Sequence, residues 1–320
     1  MYYIGIDLGG TNIAVGLVDR EGAILAKKSV PTHAERSEEA VIDAIADAVR
    51  SLVAEAGYTM SDVESVGIGT PGSVDPEKGI VHSSCNLPFE DTPLSLLLEK
   101  RLKKPIYVEN DANCAALGEA KSGAAKGRKN VAMITLGTGV GGGIVINGSL
   151  YGGFNNFGGE FGHMIVEVGG ELCACGQRGC LEAYASATAI ARDARRAAEA
   201  NPSSLLNLCA QKEGKFSGKT AFDAARLGDK DAGAVVDRYI RYLAIGSVNA
   251  IHILQPDVLV FGGGVAHEGD GLMIPLRKMV YEIAYSENIP EEKRTVLTAA
   301  TLGNDAGIVG AAMLTKMEEV

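Results

Sequence analysis

The sequence predicts an α/β protein built as two lobes. Segments that read as strands alternate with segments that read as helices. A length of 320 residues suits about two ordinary domains. A glycine-punctuated pair of strands at the amino terminus also has a weak counterpart near the middle of the chain. Two lobes imply a cleft, the usual place for a ligand in a protein of this class.

At the amino terminus, "YIGIDLGGTNIAVGLVD" is expected to form two strands joined by a glycine turn. Between residues 41 and 53, Val41, Ile42, Ile45, Val49, Leu52 and Val53 recur at helical spacing, and Gly57 stands where a helix stop is expected. "VESVGIGTPG" and "KKPIYVEN" read as further strands, the second running into a helical "ANCAALGEA". After the connector "GAAKGRKN" the pattern restarts with "VAMITLGTGVGGGIVINGSLYGG", so a domain boundary is expected before it, dividing 1–118 from 119–302.

Composition narrows the class. A hydrophobic content of 46% and a charged content of 22% are those of a folded globular protein. The amino terminus has no basic flank with an apolar run behind it, and nowhere do eighteen apolar residues run together, so a cytoplasmic protein without a membrane partner is expected. A formal net charge of -10 opposes nonspecific nucleic-acid binding, which depends on lysine and arginine displacing counterions. In a reducing compartment six cysteines are expected to be free or metal-bound rather than paired.

Three glycine-rich turns point to phosphate. "IDLGGTNIAVGLVDREG" and "ITLGTGVGGGIVINGS" share a strand, Leu-Gly, a small or hydroxyl residue and an apolar strand, and "VLVFGGGVA" at 258–266 adds a third run. Such turns offer main-chain amides and let a phosphate chain approach closely. "GTGVGG" at 137–142 also satisfies the dinucleotide-binding pattern, but "GGIVINGSLYGG", which continues from it, reads as a strand and turn rather than the required helix. A P-loop lysine is absent, so a magnesium ion is expected to balance nucleotide charge, with Asp7 at the end of the first strand holding it directly or through water. Asp111, opening a helix at a strand end, is the candidate general base; a plain helix N-cap is its alternative.

The stretch "GHMIVEVGGELCACGQRGC" gathers His163, Cys173, Cys175 and Cys180, the ligand set of a closed tetrahedral zinc site. Four protein ligands leave no open position, so a structural zinc is expected, with metal-free core cysteines as the alternative. Cys85, Cys114 and Cys209 stand alone and read as small buried residues. Glu160 and Glu182 flank the cluster, and an ordered loop would present both to the hydroxyls of a polyol; His163 can bind metal through one nitrogen and donate through the other. Solvated or ion-paired glutamates are the alternative.

At "DLGGTN", "GTPGSVD", "ENDAN", "LGTGVGGG", "EFGH" and "CACGQRGCLEAYAS" the chain resembles the ROK family (repressor, open reading frame, kinase), and within it the bacterial ATP-dependent glucokinases. The resemblance spans essentially the whole chain. It implies an actin-like, ribonuclease H-like, two-lobed sugar kinase fold, with the smaller lobe rejoined by a C-terminal helix at 303–320 and zinc in the larger. It also implies phosphorylation of glucose at its 6-hydroxyl by Mg-ATP, with Asp111 as base. Asn110, Asp111, Glu160, His163 and Glu182 would hold the sugar, completed by Gly72 and Asn86. Gly9, Gly10, Thr11 and Asn12 on one side, and Thr138 and Gly139 on the other, would cradle the phosphates, with Gly263 and Gly264 beside the adenosine. A homodimer or homotetramer is implied as well. Two positions depart from the family pattern: Asn12 stands where many members carry lysine, and Phe89 close to where they carry tryptophan. A kinase for fructose, mannose, allose or N-acetylmannosamine, and a noncatalytic sugar sensor, remain open. With the first strand expected to start at residue 2 or 3, the helix-turn-helix of the family's repressors is not expected here.

Overall fold

The computed structural model describes residues 1–84, 86–285 and 289–314. Cys85 and the last six residues of the expected C-terminal helix lie outside them. The first sheet begins as an antiparallel meander of β1 (Tyr2–Leu8), β2 (Asn12–Val18) and β3 (Ile24–Pro31), with Leu8 opposite Ile13 across the turn. Ile4, Ile6, Leu8, Ile13, Val15 and Leu17 alternate along two strands and are fully buried, the two-residue period of a strand with one face in the core. Helix α1 (Glu38–Glu55) starts at Ser37, whose hydroxyl accepts the Ala40 N–H, and it buries all six of the apolar residues that recur at helical spacing.

β4 (Val63–Thr70) lies parallel to β1. A small antiparallel sheet of β5 (Ser73–Asp75), β6 (Ile80–Ser83) and β7 (Glu90–Thr92), then α2 (Leu94–Leu102), lead to β8 (Ile106–Asn110), which pairs in parallel with β4. α3 (Asp111–Ser122) comes next without a loop.

The restart seen in the sequence builds a second sheet. It contains β9 (Val131–Leu136), β10 (Val140–Ile146), β11 (Ser149–Leu150), β12 (Val258–Gly262) and β13 (Val296–Ala299). Counted within each sheet, both run third, second, first, fourth, fifth. The two similar hairpins therefore occupy equivalent places in two copies of one topology. Between β11 and β12 lie α4 (Glu182–Ala185), α5 (Ala187–Ala200), α6 (Leu205–Glu213), α7 (Gly218–Arg226) and α8 (Lys230–Leu254); α9 (Asp270–Ile283) precedes β13. The buried Tyr239 on α8 donates to the Ala185 carbonyl at 2.8 Å, so its hydroxyl is satisfied inside the core.

The chain divides into one unit of residues 1–131, 143–159 and 301 onward, and another of 132–142 and 160–300. The boundary expected between 118 and 119 falls inside α3, where a continuous helix allows no division. α10 (Ala306–Ala312) belongs to the first unit, and its backbone lies directly on the sheet. A Cβ on Gly67 would stand 1.8 Å from the Ala311 carbonyl oxygen, and one on Gly5 equally close to that of Ile308. Only glycine permits that approach. Among the described residues, no helix is long and apolar enough to cross a membrane.

Glu119 on α3 fastens the returning segment. Its fully buried carboxylate accepts N–H bonds from Leu302 at 2.8 Å, Thr301 at 3.0 Å and Ala124 at 2.7 Å. Glu119→Ala strands these donors, and a loss of about 3 to 5 kcal/mol in unfolding free energy is expected from several charge-assisted bonds broken together. Urea denaturation measures it; a loss below about 0.5 kcal/mol, the range of an ordinary surface change, would contradict the role.

Candidate active site

In the first unit, strand ends and turns gather the polar residues. Asp7 is the penultimate residue of β1, just before the turn that Gly9 and Gly10 form. The Gly9 N–H donates to the Asn12 carbonyl at 2.9 Å, and the Thr32 hydroxyl donates to the Gly9 carbonyl at 2.6 Å. The Gly9 amide thus closes its own turn and is not among the main-chain amides that the turn is expected to offer phosphate. Thr11 and Asn12 are exposed beside it, and the Thr11 carbonyl accepts the Thr32 N–H. A Cβ on Gly10 would meet the Cβ and carbonyl oxygen of Asn86 at 2.9 Å, so these two expected ligand residues are neighbours.

At the end of β8, Asn110 and not Asp111 caps α3. Its side-chain oxygen accepts N–H bonds from Ala112 at 2.9 Å and Asn113 at 3.2 Å, while its amide lies 3.4 Å from the Gly72 carbonyl. Gly72 holds a φ of +110°, and a Cβ there would lie 2.0 Å from the Ser83 carbonyl oxygen. The capping role considered for Asp111 is thereby taken by its neighbour. Asp111 occupies the first helical position and accepts the Ala112 N–H at 2.8 Å.

The electrostatics of this corner result from burial. Loss of solvent, and then the nearby Asp111 charge, push the Asp7 carboxyl up to about 6. Desolvation also raises Asp111, against the helix N–H bonds that favour its charged form. Glu109, holding the Asn113 side chain at 3.0 Å and the Asn110 N–H at 2.8 Å, is raised by burial as well. Burial drives the Cys114 thiol well above its ordinary range, and Glu109, Asp111 and Asp7 add to the rise. The Asp111 charge that raises Asp7 is one that a divalent cation beside Asp7 would offset, and a carboxylate oxygen is the donor that magnesium takes. Phe89, one of the two positions noted as departures from the resembled pattern, is buried in the core of this unit.

In the second unit, the turn between β9 and β10 is tied down from several sides. The Gly137 N–H donates to the Gly139 carbonyl at 3.0 Å, the Ala187 N–H to the Gly137 carbonyl at 2.8 Å, and the Thr188 hydroxyl to the Thr138 carbonyl at 2.7 Å. Gly263, with φ +82°, follows β12, and a Cβ there would lie 2.6 Å from the Leu136 carbonyl oxygen. Next to it, Gly264 lines a cavity of about 500 Å³ with Ala187, Ser217, Lys219, Arg226 and His267. That volume falls in the range of small-molecule sites.

His163, Cys173, Cys175 and Cys180 converge, with their ligand atoms all within 4.8 Å of one another. The Cys175 and Cys180 sulfurs are 3.7 Å apart, and the Cys173 sulfur is 3.9 Å from His163 Nδ1. A tetrahedron with zinc–sulfur bonds of about 2.3 Å has sulfur–sulfur edges near ~3.8 Å, so the set fits zinc. Cys114 and Cys209 are buried and separate from it. His163 turns Nδ1 toward the cluster and Nε2 toward Glu160, whose oxygen is 3.9 Å away, too far for a hydrogen bond. Glu160 is therefore open to a ligand. Glu182 differs: Oε2 accepts the Val140 N–H at 2.9 Å, and Oε1 lies 3.4 Å from the Cys173 sulfur.

The ROK family model matches residues 3–318. The chain is a member of the ROK family. Among its relatives, the glucokinase of Thermotoga maritima is 42% identical over 316 residues, covering 98% of this chain and 96% of that protein. The glucokinase of Halalkalibacterium halodurans is 39% identical over 319 residues, covering 99% and 96%. A solved ROK family glucokinase from Streptomyces griseus, in complex with glucose and AMPPNP, matches with a TM-score of 0.80 at 39% identity, covering 99% of this chain and 100% of that one. The fold is the actin-like α/β fold of the ROK sugar kinases.

Several residues around the site escaped the sequence reading. Glu109 and Asn113 lie within the "ENDAN" motif, and an acid beside the candidate base was the signal available. Ser217, Lys219, Arg226 and His267 carry no motif, since the cavity is assembled from segments far apart in the chain.

Proposed function

We propose that this protein is a cytoplasmic, magnesium-dependent kinase that transfers the γ-phosphoryl group of ATP to the 6-hydroxyl of glucose. Full-length likeness to glucokinases supports the reaction class. The observation that carries the chemistry is Asp111: a half-buried carboxylate fixed at a strand-to-helix junction, with its proton affinity raised by loss of solvent, as suits a general base.

From the first unit, Asp111 takes the proton of the attacking hydroxyl at its carboxylate oxygen, while Asn110, Gly72 and Asn86 orient the sugar. Gly9, Gly10, Thr11 and Asn12 meet phosphate oxygens, and Asp7 holds the magnesium ion. When bound, that ion neutralises charge on the phosphates. From the second unit, Glu160, Glu182 and the outward nitrogen of His163 accept and donate hydrogen bonds to sugar hydroxyls, while Thr138 and Gly139 serve the phosphates and Gly263 and Gly264 the adenosine. The protein's contribution is mainly positioning, since phosphoryl transfer leaves little covalent work for side chains.

Glu160→Gln is expected to raise the glucose KM by about 10-fold, the worth of one charge-assisted hydrogen bond, and to leave the ATP KM within about 2-fold. Steady-state kinetics with each substrate varied would check it, and the opposite ordering would reassign the side chain. The function itself is tested by coupled ADP release across glucose, fructose, mannose, allose and N-acetylmannosamine. Glucose is expected to give the highest kcat/KM; a preference for another hexose would change the substrate, and no turnover with any would leave a sugar-binding protein without catalysis.

A further inference from the structure

We propose that Glu182 is a positioning residue for the nucleotide as well as a sugar ligand: its carboxylate is a strut that sets the β9–β10 turn against the zinc-binding loop. The inference rests on the phosphoryl-transfer reading and adds a residue to its nucleotide side. Three observations converge on it, all inside the second unit.

The base of the strut is fixed. Glu182 opens α4, whose other residues Ala183, Tyr184 and Ala185 are buried, as is Leu181 before it. The Leu181 N–H donates to the Met164 carbonyl at 2.8 Å, and the Ala185 N–H to the Leu181 carbonyl at the same distance. A backbone held this way gives the side chain little freedom to swing elsewhere.

The tip presses on the turn. Oε2 accepts the Val140 N–H at 2.9 Å, and a Cβ built on Gly139 would lie only 2.3 Å from that oxygen. Gly139 is thus the residue on which the carboxylate rests, as well as a residue expected to meet phosphate. The other oxygen, 3.4 Å from the Cys173 sulfur, faces a ligand of the metal cluster. One side chain therefore spans from the zinc loop to the phosphate turn. A residue acting on sugar alone would not need either contact.

The consequence is testable without sugar. Magnesium-ADP binding is measured by calorimetry on the full-length, zinc-loaded protein and on Glu182→Ala, Glu182→Asp, Glu182→Gln and Gly139→Ala. Glu182→Ala is expected to weaken ADP by about 10-fold or more, the loss of one hydrogen bond to a charged group. Glu182→Asp, one methylene shorter, should fall short of the Val140 N–H and weaken ADP similarly, which keeps the test decisive if the alanine variant does not fold. Glu182→Gln retains an acceptor for that N–H and should stay within about 3-fold of wild type. Gly139→Ala displaces the carboxylate and should weaken glucose as well as ADP.

Wild-type ADP affinity in the alanine and aspartate variants, with only glucose weakened, would overturn the strut and leave a sugar ligand. Equal loss of ADP in the glutamine variant would overturn the hydrogen-bond basis. A wild-type protein that binds no ADP at all would instead overturn the phosphoryl-transfer reading, and the strut's nucleotide role with it.

Discussion

Asp111→Asn is expected to keep glucose binding and to slow turnover by about 10²- to 10⁴-fold, the usual worth of a general base. Asparagine has nearly the same shape, and its side-chain oxygen can still accept the Ala112 N–H that Asp111 accepts at 2.8 Å. Asn110 caps α3 independently, so the helix start survives. What disappears is the proton acceptor. The fold should not suffer, because burial raises the Asp111 proton affinity above that of the unfolded chain. A carboxyl raised in the folded state supports stability at low pH and loses that contribution as pH rises through its folded pKa. At neutral pH its charge is a burden that asparagine removes, so the melting temperature should hold or rise. Calorimetric glucose affinity, kcat and thermal unfolding together check the set; an undiminished kcat would remove Asp111 as the base.

Cys175→Ser is expected to release the zinc and weaken glucose binding by about 10-fold or more, as loss of an ordered loop should. Four ligands can contribute roughly 10 to 16 kcal/mol of apparent free energy to ordering a segment of this kind. The loop has backbone bonds of its own, among them the Val166 N–H to the Gly179 carbonyl and the Cys173 N–H to the Gln177 carbonyl, both at 2.8 Å, and isolated bridges join Ile165 to Cys180 and Leu172 to Arg178. Metal closure adds to them by tying His163, three residues from Glu160, to the three cysteines. Cys175 is exposed, so a chelator can reach the cluster without global unfolding. Metal analysis should find one zinc per chain in the wild type and much less in the variant. A wild-type protein that is fully active without zinc would contradict the assignment.

The elements legible in the sequence were those with a local signature. The six apolar residues of α1 recur at helical spacing, and β1 and β2 carry alternating apolar residues on either side of a glycine turn. Their burial can be read from period alone. The zinc ligands were legible because three cysteines and a histidine have few other uses at such spacing. The likeness between the two hairpins was faint, yet it reflects strand orders that coincide throughout both sheets.

The features that stayed hidden depend on contacts between distant segments. Nothing local marks Glu119 as the carboxylate that gathers Thr301 and Leu302, nor Gly67 as the site where α10 meets the sheet. The N-cap weighed for Asp111 as the alternative to a base belongs to Asn110, because asparagine and aspartate are nearly equal as N-caps and only geometry separates them. The Gly9 amide, expected to be open to phosphate, is accepted by the Asn12 carbonyl, and beside Gly139 the Val140 N–H is accepted by Glu182, a contact between segments far apart in the chain.

Phosphorus NMR of purified protein mixed with Mg-ATP and glucose tests the central claim most directly. The expected result is loss of the γ-phosphate signal, appearance of ADP, and a new phosphomonoester coupled to the two protons on carbon 6, with 6-deoxyglucose left unphosphorylated. ATP that stays intact, or that yields only inorganic phosphate, would contradict it.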